Sequence, residues 1–186
     1  MAESLPLFVI SAPSGGGKTT VIESIQSNPR LTYAISATTR APRKGETEGK
    51  EYYFISKEAF LKKIKENAFI EWAEVHGHYY GTLWSEIQRA EHEKKSLILD
   101  LDVQGGIHLK QQKNEAILIF LMPPSMKELE SRLRNRKTDS ESIIETRLKN
   151  AKTEIEAAVY YDYQIINQRL EETIEAVQTI INKTLL

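Results

Sequence analysis

Residues 5–20 read LPLFVISAPSGGGKTT, an apolar β-forming run that breaks into a glycine-rich turn and ends in Lys18-Thr19. Leu5, Leu7, Phe8, Val9 and Ile10 have the continuous apolar character of a parallel strand covered on both faces. Gly15, Gly16 and Gly17 carry no Cβ, so the backbone after the strand can take positive φ and turn several N–H groups inward around an anion. Lys18 adds a point charge and Thr19 a hydroxyl suited to a hard divalent cation. A helix opening near Lys18 would add the positive end of its dipole. The pattern is that of a polyphosphate-binding P-loop, GxxxxGK[ST], with Ala12 in place of the first glycine. A plain connecting turn would not require strand, three glycines, Lys-Thr and helix in that order.

Composition fits one soluble domain. The chain has 186 residues, 40% of them hydrophobic, enough for a real core. Its net charge of −1 argues against a non-specific nucleic-acid binder, so any anion site must be local. No cysteine is present, which excludes disulfides, thiolate nucleophiles and cysteine-based zinc sites. The N-terminal apolar stretch is too short to span a membrane and lacks a basic leader, so neither a membrane nor a nucleic-acid partner is expected. The expected location is cytoplasmic.

Further strand candidates alternate with helical patterns. Residues 96–101, 116–121 and 163–167 read as central strands and 33–36 as a shorter one, with helices over 18–27, 125–136, 140–158 and 170–183. The 125–136 helix opens on a capping box, Ser125-x-x-Glu128, and Ile174, Val177 and Ile181 mark the buried stripe of the last. This alternation predicts an α/β fold with a doubly wound parallel sheet flanked by helices and a site beyond the carboxyl ends of its strands. Residues 37–83 interrupt it with a polar loop, short β-like pieces at 52–55 and 69–73, and a helix near 57–67. They predict a small inserted lobe that brings a second substrate to the terminal phosphate.

The lobe's chemistry suits a phosphate monoester. Arg40 and Arg43 flank the stiff Pro42, and two guanidinium forks match phosphate geometry better than lysines do. Tyr52 and Tyr80 could add hydroxyls. Asp100 and Asp102 end an apolar strand two residues apart, so both can share a face, although either could instead cap the next helix. Arg132 and Arg136 lie on one helix face and Arg147 on the next helix. His76-Gly77-His78 lacks a nearby third ligand and reads as a turn rather than a metal site. Trp72, Trp84, Tyr160, Tyr161 and Tyr163 read as packing residues.

Taken together, SAPSGGGKT (11–19), SATTRAPRKGE (36–46), GKEYYF (49–54), FIEWAEV (69–75), YYGT (79–82), ILDLDVQG (98–105) and the arginine-rich 132–147 segment resemble the guanylate kinases of bacterial type, over residues 5–170. The resemblance implies the reaction ATP + GMP → ADP + GDP with Mg²⁺. It also implies a CORE (1–36, 84–124, 149–186), a GMP-binding lobe (37–83) and a LID (125–148) that close over the nucleotides. It assigns ATP to Ser14, Gly15, Gly16, Gly17, Lys18, Thr19, Thr20 and Asn167, and the metal to Thr19 and Asp100. The GMP phosphate falls to Arg40, Arg43, Tyr52 and Tyr80, guanine to Ser36, Glu71 and Thr82, and the GMP side also to Asp102. Lys18, Arg40, Arg132, Arg136 and Arg147 are the expected catalytic cations.

The physics of guanine supports Glu71, because N1–H and N2–H present two adjacent donors to one carboxylate and adenine offers no such pair. Outside that resemblance Glu71 reads as an outward strand residue. Two departures stand out: Lys137 replaces the usual glycine of Arg-Gly-Thr, and Gln168 replaces the aspartate that usually follows the asparagine. The alternatives are a P-loop kinase for another phosphorylated acceptor and a non-catalytic interaction module of the same fold, which typically loses the P-loop. Whether the chain forms a homo-oligomer is left open.

Overall fold

The computed structural model describes residues 5–75, 77–135 and 139–186. Leu7–Ser11 forms β1, and Lys18–Ile25 forms α1 directly after the glycine turn. Then follow β2 (Leu31–Tyr33), β3 (Ala37–Thr38), β4 (Tyr53–Phe54), α2 (Lys57–Lys65), β5 (Phe69–Val75), β6 (His78–Leu83) and α3 (Ser85–Glu93). The chain continues through β7 (Ser96–Asp100), α4 (Val103–Gln112), β8 (Ile117–Met122), α5 (Met126–Asn135), α6 (Glu141–Ala157), β9 (Tyr163–Ile166) and α7 (Leu170–Thr184).

The long strands pair as a five-stranded sheet in the order β2-β7-β1-β8-β9, with β1·β8, β2·β7 and β8·β9 parallel. Phe8, Val9, Ile10, Leu118, Ile119 and Phe120 are wholly excluded from solvent. That explains why these strands read as unbroken apolar runs. β9 departs from the expectation of a central strand, since it lies at the sheet edge with Tyr163 and Ile166 exposed. Of the three tyrosines around it only Tyr161 is buried; Tyr160 stands in solvent. Trp72 is also exposed. The 33–36 candidate begins earlier and ends at Tyr33. Beyond it the Ile35 N–H donates to the Glu86 carboxylate at 2.8 Å and the Ser36 carbonyl accepts from Tyr53 N–H at 2.9 Å, which takes the backbone away from the β2 ladder.

The chain divides into two compact units, one built on Arg30–Ile98 and the other on Pro6–Pro29 together with Leu99–Leu186. The first contains a mixed sheet of order β4-β3-β6-β5 over a core of Ala37, Phe60, Phe69 and Leu83, in which the Phe60 and Phe69 rings stack with centroids 4.3 Å apart. β5 and β6 form an antiparallel hairpin whose register shifts between Phe69 and Glu71. The shift matters, because such an irregularity re-aims the residues beyond it: Phe69 keeps its place in the core while Glu71 comes opposite Thr82. Fully buried Glu86 ties the unit together, accepting from Ile35 N–H, Tyr53 Oη–H and the Arg89 guanidinium.

In the second unit Val177 and Ile181 of α7 are buried as expected, but Thr173 takes the place assigned to Ile174. A hydroxyl is needed there because Thr173 Oγ1 donates to Asn167 Oδ1 at 3.0 Å. The capping serine of α5 is present, with Ser125 Oγ accepting from Glu128 N–H at 3.1 Å. Helix α3 has no counterpart in the sequence expectations, and α4 appears there only as the helix that Asp100 or Asp102 could cap, which Asp102 does. α3 is mostly polar, with Ile87 and Ala90 its buried apolar residues, and α4 carries Gly105-Gly106, which ordinarily weakens a helix.

Gly106 has a packing reason. A Cβ there would collide with the Tyr161 hydroxyl and sit 3.2 Å from Val9 Cγ1. Tyr161 Oη–H donates to Ser11 Oγ at 2.7 Å and Ser11 Oγ–H to the Leu101 carbonyl at 2.8 Å, a buried chain linking the ends of β1 and β7 to the segment before β9. At an exposed helix position Gly→Ala stabilises by about 1 kcal/mol. Here Gly106→Ala is expected to destabilise by about 1–3 kcal/mol through overpacking, which urea denaturation with an unchanged m-value would register.

Candidate active site

The P-loop is built by local strain that glycine accepts. Gly15 and Gly17 have φ of 91° and 88°, conformations that cost other residues dearly. Gly16 N–H closes the turn on the Pro13 carbonyl at 2.8 Å. A Cβ on Gly16 would lie 2.9 Å from the Ala12 Cβ, so the missing side chain at 16 makes room for alanine at 12. Gly17 occupies the N-cap of α1, where no side chain caps the helix and no acid lies in the first turn. The helix's first N–H groups therefore lack an internal acceptor, the ready-made condition for an anion. Ala12 to Thr20 line a cleft of about 350 Å³.

Asn167 supports this loop from behind. Its side chain is buried, with Nδ2–H donating to the Gly16 carbonyl at 2.7 Å and Oδ1 accepting from Thr173. Both halves of the amide are thus engaged within the protein. A Cβ on Gly17 would collide with Nδ2. The residue nominated for the adenine or ribose side is placed as a brace for the phosphate loop.

Lys18 Nζ forms an ion pair with Asp100 and lies 3.4 Å from the Leu101 carbonyl. Asp102 caps α4, its Oδ1 accepting from Gly105 N–H at 2.7 Å. Beside it, Asp102, Val103, Gln104, Asn150, Thr153 and Glu154 line a second cleft of about 230 Å³. The half-buried Glu154 carboxyl is pushed above the usual carboxylate range, first by burial and then by the Asp102 charge, with Lys18 opposing. Burial likewise pushes the Tyr161 hydroxyl up to about 12.

The arginines divide by role. Arg147 Nη1–H donates to Ser14 Oγ of the P-loop at 2.8 Å. Arg132 Nη2–H donates to the Asn167 carbonyl at 3.2 Å, and its Nε to Glu128 at 3.0 Å. Arg134 joins α5 to α6 through Glu130 and Glu141, all three largely in solvent, and reads as a strut. Arg136 and Lys137 lie outside the described residues, as does His76.

The first unit holds a cluster of its own. Arg40 makes a two-pronged pair with Glu46, with N···O distances of 2.9 and 2.8 Å, and its guanidinium carbon lies 5.5 Å from the centre of the Tyr52 ring. Tyr52 and Tyr80 meet edge to face at 6.0 Å. Glu46 also accepts from Arg43 N–H at 2.6 Å, while the Arg43 side chain stands exposed. Arg40 holds the Glu46 carboxyl below the usual range, helped by that backbone bond.

Deeper in the unit, Thr82 Oγ1–H donates to Glu71 Oε1 at 3.0 Å, and Ser36 Oγ lies 3.1 Å from Thr82 Oγ1. Thr82 has a single hydroxyl proton and gives it to Glu71. Ser36 is therefore the donor to Thr82, and the three side chains form one directed chain ending on the carboxylate.

With this geometry in view, the comparisons with known proteins are decisive. The guanylate kinase family model matches residues 5–184. A guanylate kinase of Clostridium tetani is 44% identical over 176 residues, 95% of this chain and 85% of that protein. One from Syntrophotalea carbinolica is 46% identical over 176 residues, 94% of this chain and 84% of its own. The chain belongs to the guanylate kinase family. The crystal structure of guanylate kinase from Anaplasma phagocytophilum superposes with a TM-score of 0.71 at 34% identity, covering 97% of this chain and 87% of that one. The SH3-kinase fragment of tight junction protein 3 has a TM-score of 0.53 at 11% identity, over 98% of this chain and 58% of that one, a likeness of fold alone.

Sequence reasoning on this guanylate kinase family member missed the acids that hold its arginines. Glu46 follows Arg40 by six residues across Gly45, whose φ of 93° folds the loop back, and that glycine was the available signal. Asp139, 3.4 Å from Arg147, carried none.

Glu154 supplies a test of the electrostatics. A carboxyl whose folded pKa lies above its unfolded value adds stability only below the unfolded value of about 4.5 and loses it as pH rises. Glu154→Gln is therefore expected to raise the Tm at pH 8 and to match the parent at pH 4. Equal Tm values at both pH values would show that the carboxylate is well solvated.

Proposed function

We propose that the chain transfers the γ-phosphoryl group of ATP to the phosphate of GMP, giving ADP and GDP, with the substrates held by the residues nominated within each unit. The observation that carries this reading is the Ser36–Thr82–Glu71 chain. It presents a carboxylate whose Oε1 is pinned by Thr82 and whose chemistry matches the paired N1–H and N2–H donors of guanine. Adenine would bring no such donor pair to that half-buried carboxylate, which penalises the wrong base more than a missing contact would.

The P-loop N–H groups, Ser14, Thr20 and Lys18 take the ATP phosphates, and Arg40, Arg43, Tyr52 and Tyr80 take the GMP phosphate. An oxygen of the GMP phosphate attacks the γ-phosphorus as the bond to the ADP oxygen breaks. That oxygen is already ionised, so no general base is assigned, and the protein's work is alignment and charge neutralisation by Lys18, Arg40, Arg132, Arg136 and Arg147. Thr19 and Asp100, both oxygen donors at the P-loop, would hold Mg²⁺, which supplies further neutralisation of the phosphates when bound. Asp102 has one carboxylate oxygen committed to its cap and is assigned to the GMP side.

We assign 1–36, 84–124 and 149–186 to the CORE, 37–83 to GMP binding and 125–148 to the LID, because the chemistry calls for two phosphates to be enclosed together. No described helix is long and apolar enough to cross a membrane. The cytoplasmic location expected from the sequence is part of this proposal. Retention of Lys18 and Thr19 after the glycine turn, with Asp100 paired to Lys18 from the end of β7, favours catalysis over a binding-only module.

Two substitutions test the halves separately. Lys18→Met is expected to abolish nearly all turnover while calorimetric GMP binding persists, since the lysine acts on the transferring phosphoryl group. Glu71→Gln keeps the side-chain shape, and Thr82 will hold the glutamine's carbonyl oxygen, aiming its NH₂ at the guanine donors. An opposed buried polar pair costs about 1–3 kcal/mol, so GMP kcat/KM should fall roughly 10- to 100-fold with AMP far less affected. An unchanged GMP/AMP ratio would remove the guanine assignment.

A further inference from the structure

Asp139 stands two residues before α6, in a place where a carboxylate has little to gain. Its side chain is nine-tenths buried at 10% exposure, yet Oδ2 is buried with no hydrogen-bond partner among the described residues. Oδ1 has one cationic neighbour, Arg147 Nη2, at a long 3.4 Å. Burying a charge with so few partners disfavours the fold. The structural cross-links nearby need no such device, since Arg134 already joins α5 to α6 through Glu130 and Glu141.

What Asp139 does touch is informative. The other amine of Arg147 donates to Ser14 Oγ at 2.8 Å, so Asp139, Arg147 and the P-loop form one line. A guanidinium is planar, and fixing one amine fixes the direction of the others. With Nη2 drawn toward Asp139, Nη1 is aimed at the phosphate loop. Arg147 is one-third exposed and would otherwise be free to turn to solvent.

We infer that Asp139 is a positioning residue, which acts through Arg147 by holding its guanidinium toward the P-loop where the ATP phosphates bind. The inference rests on the assignment of Arg147 to the ATP phosphates. Misaiming one neutralising group by an ångström is enough to cost on the order of 10- to 100-fold in rate.

The discriminating variant is Asp139→Leu, similar in volume and without charge. A residue kept for stability would lower the Tm when replaced, whereas removal of an under-partnered buried carboxylate should leave it unchanged or raise it. We expect Asp139→Leu to keep or raise the Tm, to lower kcat about tenfold or more, and to leave the KM for GMP unchanged. Asp139→Glu should recover much of the lost rate. The same leucine substitution in an Arg147→Ala background should add less than a twofold further loss.

An unchanged kcat in Asp139→Leu, or an equal fractional loss in both backgrounds, would overturn the inference. So would a fall in Tm accompanying the loss of rate with no recovery in Asp139→Glu. If Arg147→Ala by itself left kcat and the KM for ATP unchanged, the assignment of Arg147 would be what failed. Should the leucine variant not fold, Asp139→Asn in the same two backgrounds gives the same comparison.

Discussion

The backbone of the P-loop is the constraint that the rest of the second unit serves. Two left-handed glycines turn its N–H groups inward, and an uncapped helix continues the same field, so the loop encloses a place that only an anion fills well. Such a loop does not hold its shape alone. β1 before it is buried between neighbours, α1 after it packs on α7, and Asn167 pins the Gly16 carbonyl from the far side. Arg132 then reads the backbone of that same asparagine, which ties a candidate phosphate ligand to the brace of the loop.

A second theme is that four of the nominated cations are already matched with acids. Lys18 faces Asp100, Arg40 faces Glu46, Arg132 faces Glu128 and Arg147 faces Asp139. The chain therefore does not present a pool of bare positive charge, in keeping with its net charge of −1. On the proposed assignment, substrate phosphates compete with carboxylates for these groups. An exchange of that kind lowers the gain from each contact while keeping the side chains in place, and preorganisation is what transition-state stabilisation requires.

The parts legible in the sequence were those written locally. A continuous apolar run followed by three glycines and Lys-Thr could be read as strand, cradle and helix because each property belongs to adjacent residues. Thr82, Ser36 and Glu71 were found through resemblance, and no local pattern shows that a register shift after Phe69 turns Glu71 toward Thr82. α4 was weighed only as a helix that an aspartate could cap, because its glycines oppose a helix; the reason for Gly106 lies in Tyr161, more than fifty residues on. Asn167 was recognised as a residue of the ATP side, but not as a brace, since its partners are a backbone carbonyl and a threonine that sequence spacing does not connect to it.

The brace behind the loop has a temporal side. Asn167 and Gly16 are 151 residues apart, Tyr161 and Ser11 150, and Arg147 and Ser14 133. The segment that forms the cradle is thus synthesised well before the residues that set its shape. At roughly 5–20 residues per second the interval is on the order of ten seconds. During that time a growing chain carries the phosphate motif without the contacts that hold it, and its buried β1 lacks β8 and β9. Contacts of such separation fold slowly because loop closure must come before they form. A chain cut before Arg147 would therefore carry every residue of the motif without the contacts from Arg147, Tyr161 and Asn167 that hold the loop.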